Sequence, residues 1–350
     1  MLRPFASTGL RCLGPVLLGR LLLGRLLLGR LLLGRLLLGP IAALAFWTAP
    51  ACGAPFAYIT NQGSHDVSVI DLATQQVVAT VPVGRSPAGV VASSRAGKVF
   101  VSNPDSKSIS VIDMRTQTVV ATVAAGDGPV GIDASLDGTT LFAADWFKDR
   151  LLVIDTTKNQ IVTTLPVGKA PAGVAAKDDG NTVFVAERDD DTVAVIDLAA
   201  KRVRSRVKVG THPFALLYDA PRQRLYALNV QSDDVSVIDT RTLTIVKTIK
   251  VGKAPYGAAL ADAGALLYVT NQHDDTVSVI DADTLVVVRT LTGFAYPEGV
   301  ASYGDRVYVV NWMDDNVSVR MAKTGSPVGT IATGQNSRGF GAFIGAPLGP

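Results

Sequence analysis

The residues of this chain best able to do chemistry are few. His65, His212 and His273 are its three histidines, and no two have the spacing of metal ligands. Each falls among turn residues, where an imidazole is ordinarily solvated. The two cysteines, Cys12 and Cys52, form no CxxCH sequence, which excludes covalent c-type haem. No Gly-x-Ser-x-Gly elbow offers a nucleophile on a strand–helix turn. No GxGxxG follows a strand and opens a helix. The sequence therefore assigns no catalytic residue, no metal ligand and no cofactor.

Large apolar and basic residues in turns stand out instead. Trp146-Phe147 and Trp312-Met313 occupy places where other turns carry Gln, Pro or Arg. A second set of turns holds Arg85, Lys169, Lys253 and Arg338, with His212 and Tyr296 in the same set. The first set is acidic, with Asp190-Asp191, Asp233-Asp234, Asp274-Asp275 and Asp314-Asp315. The candidate ligand-binding residues are thus Trp146, Phe147, Trp312, Arg85, Lys169, Lys253, Arg338, His212 and Tyr296. A basic centre inside an acidic rim would favour a small anion or a peptide carboxylate over long double-stranded DNA.

The elements that must position these turns follow from a repeat. Ile-Asp recurs with its aspartate at 71, 113, 155, 197, 239 and 281, a constant step of 42 residues. An aromatic residue opens each unit at Tyr58, Phe100, Phe142, Phe184, Tyr226, Tyr268 and Tyr308, the last step shortening to 40. A turn proline follows at Pro87, Pro129, Pro171, Pro213, Pro255 and Pro297, with Ser337 in the seventh place. Each unit carries four short strand signals, as in Ala57–Thr60, Val67–Ile70, Gln76–Val81 and Gly89–Ala92. A meander of four short strands with a period near 40 is the signature of a propeller blade. No segment has the helical period that an α-solenoid would need.

The predicted fold is all-β: a seven-bladed β-propeller of four-stranded antiparallel blades. Val67, Val69 and Ile70 leave apolar groups on both faces of their strand, so neighbouring sheets must cover both. Ser68, Ser110, Ala194, Ser236, Ser278 and Ser318 keep one face small enough for close approach. Leu152 departs from this and should meet a smaller partner. The repeated Ile-Asp aspartates should accept backbone N–H bonds in the turn that follows. The chain enters on the strand at Ala57–Thr60, so its first blade lacks an inner strand. Phe340–Ile344 matches the fourth-strand position and should close the ring beside Ala57–Thr60.

The units resemble a known family. Tyr268-Val269-Thr270-Asn271 followed by Asp275-Thr276-Val277-Ser278-Val279-Ile280-Asp281 is similar to the YVTN β-propeller repeat, over about residues 56–345. The resemblance implies a propeller whose YVTN-like strand lies nearest the central channel. It implies little about chemistry, because members of the family bind varied ligands.

Residues 1–54 read as a leader, 55–345 as the propeller and 346–350 as a tail. The leader holds six arginines and no Asp, Glu or Lys. Taking those six from 33 basic residues leaves 27 against 30 acidic ones, so the propeller is −3 while the whole chain is +3. The basic balance gives the propeller no general attraction to nucleic acid. Within the leader a repeated Leu-Leu-Leu-Gly-Arg unit precedes the apolar run Leu36–Thr48 and the small residues Ala49–Ala54. That three-part order reads as a signal peptide, with the mature chain starting between Cys52 and Phe56. The protein is then exported, periplasmic or secreted, and meets a membrane only through the leader if that stays uncleaved. The leading expectation is a non-enzymatic binding or scaffold propeller for a protein segment or small anionic ligand. Two alternatives remain: a lactonase- or lyase-like enzyme drawing on Glu298, Asn311, Asn271 and Asp145 around a metal, and a single-stranded nucleic-acid binder stacking bases on Trp146 beside Arg85.

Overall fold

The computed structural model describes residues 55–347. The predicted leader and its cleavage site lie outside those residues. The described chain forms seven four-stranded antiparallel sheets. Blade 2 shows the plan, running from the centre outwards as Val90–Ser93, Lys98–Asn103, Ser108–Asp113 and Thr118–Ala124. The YVTN-like strand is therefore second from the axis and not nearest it, because the strand after the turn proline lines the channel. Among the described residues no helix is long and apolar enough to cross a membrane.

The two middle strands of each blade are buried on both faces, as the doubly apolar pattern demands. In blade 1, Ala57–Asn61 and Val67–Ile70 are all buried. The small residue of the third strand also makes a bond the sequence pattern did not suggest. Asn61 donates to the Ser68 hydroxyl at 2.9 Å, and Asn103, Asn229, Asn271 and Asn311 repeat this with Ser110, Ser236, Ser278 and Ser318. Blades 3 and 4 carry Leu152 and Ala194 instead, which offer no hydroxyl. There the asparagine is replaced by Asp145, paired with Arg150 at 2.8 Å, and by Glu187, paired with Arg206 at 2.8 Å. A buried carboxylate must be paired or hydrogen-bonded, so partner and position change together. Leu152 lies directly across the ladder from Ala143.

The Ile-Asp aspartates cap their turns. Asp71 accepts the N–H groups of Ala73 at 2.7 Å and Thr74 at 3.1 Å, and Asp113, Asp155, Asp239 and Asp281 repeat both bonds. These donors hold the carboxyls of Asp113 and Asp281 below their ordinary range. The Ala200 N–H does the same for Asp197 and the Arg241 guanidinium for Asp239, while Asp155, bonded first by the Thr157 hydroxyl, falls to about 2.

The ring closes where the sequence placed the closure, with one difference of path. Ile344 and Gly345 pair with Ala57 and Phe56. Tyr58 N–H donates to the Phe343 carbonyl at 2.8 Å, and Arg338 N–H to the Thr60 carbonyl at 2.8 Å. Between these contacts the chain bows across to blade 2, where Val90 and Ala92 donate to Phe340 and Ala342, each at 2.8 Å. Gly341, at φ +123°, permits the bow, because a Cβ there would stand 2.3 Å from the Val90 carbonyl oxygen. Inner strands elsewhere also approach closely: a Cβ on Gly131 would lie 2.1 Å from the Ala172 carbonyl oxygen of the next blade.

Candidate functional site

The two turn sets share one face and are bonded to each other. Trp146 N–H donates to Gly128, Trp312 N–H to Tyr296, and Val230 N–H to His212, at 3.0 to 3.2 Å. The rim aspartates are the braces of this face. Asp149, Asp191, Asp233, Asp275 and Asp315 accept the backbone N–H of Ala170, His212, Ala254, Tyr296 and Asn336 on the following blade, at 2.6 to 3.0 Å. Blade 1 carries His65 at this position, and its Nδ1 accepts from Ser86 N–H at 3.2 Å. Half of the rim charge predicted as a recognition feature, Asp191, Asp233, Asp275 and Asp315, is thus occupied in joining blades.

The basic residues do not form one centre. The Arg85 guanidinium rests on the Asp105 carbonyl at 3.1 Å, and Lys253 stands 3.9 Å from Asp274. Arg85, Lys169 and Lys253 are exposed. Arg338 lies one step further along the repeat, directly after the turn residue, in the register of Ala88, Val130, Ala172, Phe214, Tyr256 and Glu298. Its guanidinium pairs with Glu298 at 2.7 Å and donates to the Tyr256 hydroxyl. Gln272 donates to the other Glu298 oxygen at 2.8 Å. Burial pushes the Glu298 carboxyl up against the pull of Arg338, while the guanidinium stays charged at every working pH. The charge of Arg338 is already answered within the protein.

This register is the feature that sequence reasoning missed. One residue per blade, between the turn proline and a small residue, faces the axis. Blades 2–4 place Ala88, Val130 and Ala172 there. Blades 5–7 and the closing segment place Phe214, Tyr256, Glu298 and Arg338. Phe214 packs 4.7 Å from Tyr256 and 5.1 Å from Phe340 between ring centroids, and Tyr256 and Phe340 are 5.6 Å apart. The three rings plug the axis. A signal existed in the sequence: between a nearly constant proline and a small residue, this position changes size and charge from unit to unit.

Above the plug and over the small residues lies a cleft of about 310 Å³, walled by Trp146, Phe147, Val130, Phe214, Asp105 and Arg338. Trp146 stacks 6.2 Å from Phe214, and the Arg188 guanidinium lies 5.5 Å over its indole. Phe147 is 70% exposed, a large ring left facing solvent at the cleft edge. Gln62 also lines the cleft and accepts the Trp312 indole N–H at 3.4 Å. Behind Trp312 stand Tyr296, at 5.5 Å, and His273, at 5.6 Å from Tyr296. The structure therefore gathers Trp146, Phe147 and Arg338 into one cleft, with Trp312 and Tyr296 beyond its Gln62 wall and Arg85 near Asp105. It leaves Lys169, Lys253 and His212 outside the lining.

The residues available to a metal enzyme stand apart. Asp145, Asn271 and Asn311 are buried inside separate blades in the bonds described above, and Glu298 is held by Arg338. Among the described residues no group of three or more His, Cys, Asp or Glu side chains could hold a metal ion.

Comparison with known proteins agrees with the architecture. A model of YNCE-like β-propellers matches residues 91–181, from the inner strand of blade 2 to that of blade 4. No curated protein matches. Among solved structures, a chain of Kuenenia stuttgartiensis hydrazine synthase is similar at 20% identity, covering 81% of this chain and 99% of that one, with a TM-score of 0.68. A functionally unknown protein from Desulfotomaculum acetoxidans DSM 771 is similar at 17% identity, covering 84% and 100%, with a TM-score of 0.74. The dihydro-heme d1 dehydrogenase NirN, solved in complex with DHE, is 15% identical over 81% of this chain and 74% of its own, with a TM-score of 0.63. At such identities the likeness is one of fold: the chain is a seven-bladed β-propeller.

Proposed function

We propose that this protein is an exported, non-enzymatic binding propeller of the YVTN-repeat kind, which holds a segment of a partner protein on its loop face. The observation that carries the reading is the cleft between Trp146-Phe147 and Arg338. It combines exposed aromatic surface, a floor of small side chains and a few polar atoms, the composition of a recognition pocket. A protein segment fits better than a small free anion, because Glu298 and Tyr256 already engage the one guanidinium in the cleft. An apolar or aromatic anchor would enter against Phe147 and Trp146, and its backbone would meet Gln62, Ser86 and Asp105 at the edge. The leader supports action outside the cytoplasm, and recovery of intact Met1 on soluble cytoplasmic protein would remove that part of the reading.

The test is selection of peptides from a random displayed library on the purified protein, followed by titration of the enriched sequences. Enriched peptides should carry an aromatic or large aliphatic anchor and quench tryptophan fluorescence. They should bind the Phe147→Ser and Trp146→Ala variants at least about tenfold more weakly, a change of roughly 1.4 kcal/mol. Enrichment that both variants leave untouched would remove the cleft from the account.

A further inference from the structure

On the far side of the aromatic plug, the inner strands of blades 3–7 and the closing segment enclose a channel of about 390 Å³. Ile132, Val174, Leu216, Leu217, Leu260 and Val300 make its wall largely aliphatic. Two lining side chains bring polar atoms to it. Ser302 is committed to the scaffold, since its hydroxyl donates to the Leu260 carbonyl at 2.6 Å. Asp133 is the single ionisable side chain of the lining.

Asp133 does not follow from the repeat. In its register the other blades carry Val91, Ala175, Leu217, Ala259 and Ala301, so the blade folds without a carboxylate there. Its two oxygens are anchored separately: one accepts Ala134 N–H at 2.8 Å, and the other accepts Ala176 N–H of blade 4 at 2.8 Å. A carboxylate can take about four such bonds, so each oxygen keeps accepting capacity. No ion pair among the described residues includes Asp133. Burial pushes its carboxyl up to about 6, against the pull of the two N–H donors. Asp133 is half-buried, and a fixed acidic group on an aliphatic wall without a counter-cation carries a desolvation cost that a cationic guest would relieve.

We propose that the channel is a second ligand site, taking a small lipophilic amine whose ammonium group pairs with Asp133 and whose hydrocarbon body lies along the aliphatic wall. The volume falls within the roughly 300–1,000 Å³ of small-molecule sites, and one polar anchor in an apolar cavity is their usual composition. Phe214, Tyr256 and Phe340 stand between this channel and the cleft on the loop face, so the two sites take different partners.

The experiment is calorimetric titration of the purified protein at pH 8 with 4-phenylbutylamine. The shape-matched controls are 4-phenylbutan-1-ol and 4-phenylbutanoate. The amine should bind saturably and at least about tenfold more tightly than the alcohol, because only it supplies the counter-charge. The carboxylate should not bind. Asp133→Asn should lower the amine to the affinity of the alcohol, and Ala258→Trp, which fills the channel, should abolish binding of both. Equal affinity for amine and alcohol, an unchanged amine affinity in Asp133→Asn, or no saturable amine binding would overturn the proposal. Circular dichroism and melting establish that each variant is folded. Should Asp133→Asn fail to fold, the alcohol control together with Ala258→Trp decides the matter.

Discussion

Two regions of this propeller use carboxylates in opposite ways. In the Ile-Asp turns, half-buried aspartates at the surface accept the N–H groups that follow them, so their charged form is favoured. Near the axis, Glu298 is buried and Asp133 is half-buried among aliphatic side chains, and desolvation favours their protonated form. The turns are copied from blade to blade because each solves the same local problem. The axial positions differ from blade to blade because each meets a different neighbour across the ring. Repetition here marks what builds the blade, and divergence marks what makes the axis of this molecule its own.

The largest expected effect comes from breaking the ring at the place where turn and axis meet. Deleting residues 337–350 removes the closing strand together with Phe340 and Phe343, both buried. Two such side chains contribute roughly 1.5–3 kcal/mol each, and two strand edges are exposed besides. Urea denaturation should show a loss on the order of 5 kcal/mol or a chain that no longer folds cooperatively. Deleting residues 347–350 should leave the curve where it was. Equal curves for both deletions would mean that the ring does not depend on its closing strand.

The next effect separates the axial pair from the turn carboxylates. Arg338→Met strands Glu298 in the interior and should cost about 3–5 kcal/mol, whereas the double variant Arg338→Met/Glu298→Met should recover most of that loss. A single variant no less stable than the double one would show that Glu298 is not desolvated.

A smaller effect lies in the pH dependence, where the signs differ between the regions. Asp133 has a folded value near 6 against an ordinary 3.8. Its contribution is therefore fully present below about pH 4 and is lost as pH rises through 6. Asp155, held at about 2, contributes above its ordinary value and loses that contribution as pH falls toward 2. Urea midpoints between pH 4.5 and 6.5 should show Asp133→Asn gaining on the parent as pH rises. A constant gap would place Asp133 in a solvated setting.

The smallest stability effect belongs to the exposed ring of the cleft. Phe147→Ser should shift unfolding by less than about 0.5 kcal/mol while weakening capture of selected peptides. A large destabilisation would make Phe147 part of the framework rather than of the recognition surface.

Much of the framework was legible before any coordinates. The constant step of the Ile-Asp aspartates, the turn prolines and the doubly apolar strand Val67–Ile70 led to seven blades, and the chain's entry on Ala57–Thr60 led to closure by its final residues. The site was legible only in part. Trp146 and Phe147 were identified because they are large residues in turns that are otherwise polar. Arg338 was grouped with Arg85, Lys169 and Lys253 as a basic side chain near a turn. The structure shows it one residue further on, pointing inward to Glu298. Four of the eight rim aspartates, Asp191, Asp233, Asp275 and Asp315, read as free charge in the sequence and are bonded to the next blade.

The amino-acid sequence by itself determined the strands, their grouping and their number, because alternation, tight turns and capping aspartates act over a few residues and need no distant partner. Tertiary structure alone decided what the axis holds. Phe214, Tyr256, Glu298 and Arg338 are separated along the chain by forty residues or a little more, and no local pattern says that they touch. They meet because the ring turns one register of every blade toward a common centre, where water is excluded and each side chain must find its partner among the others.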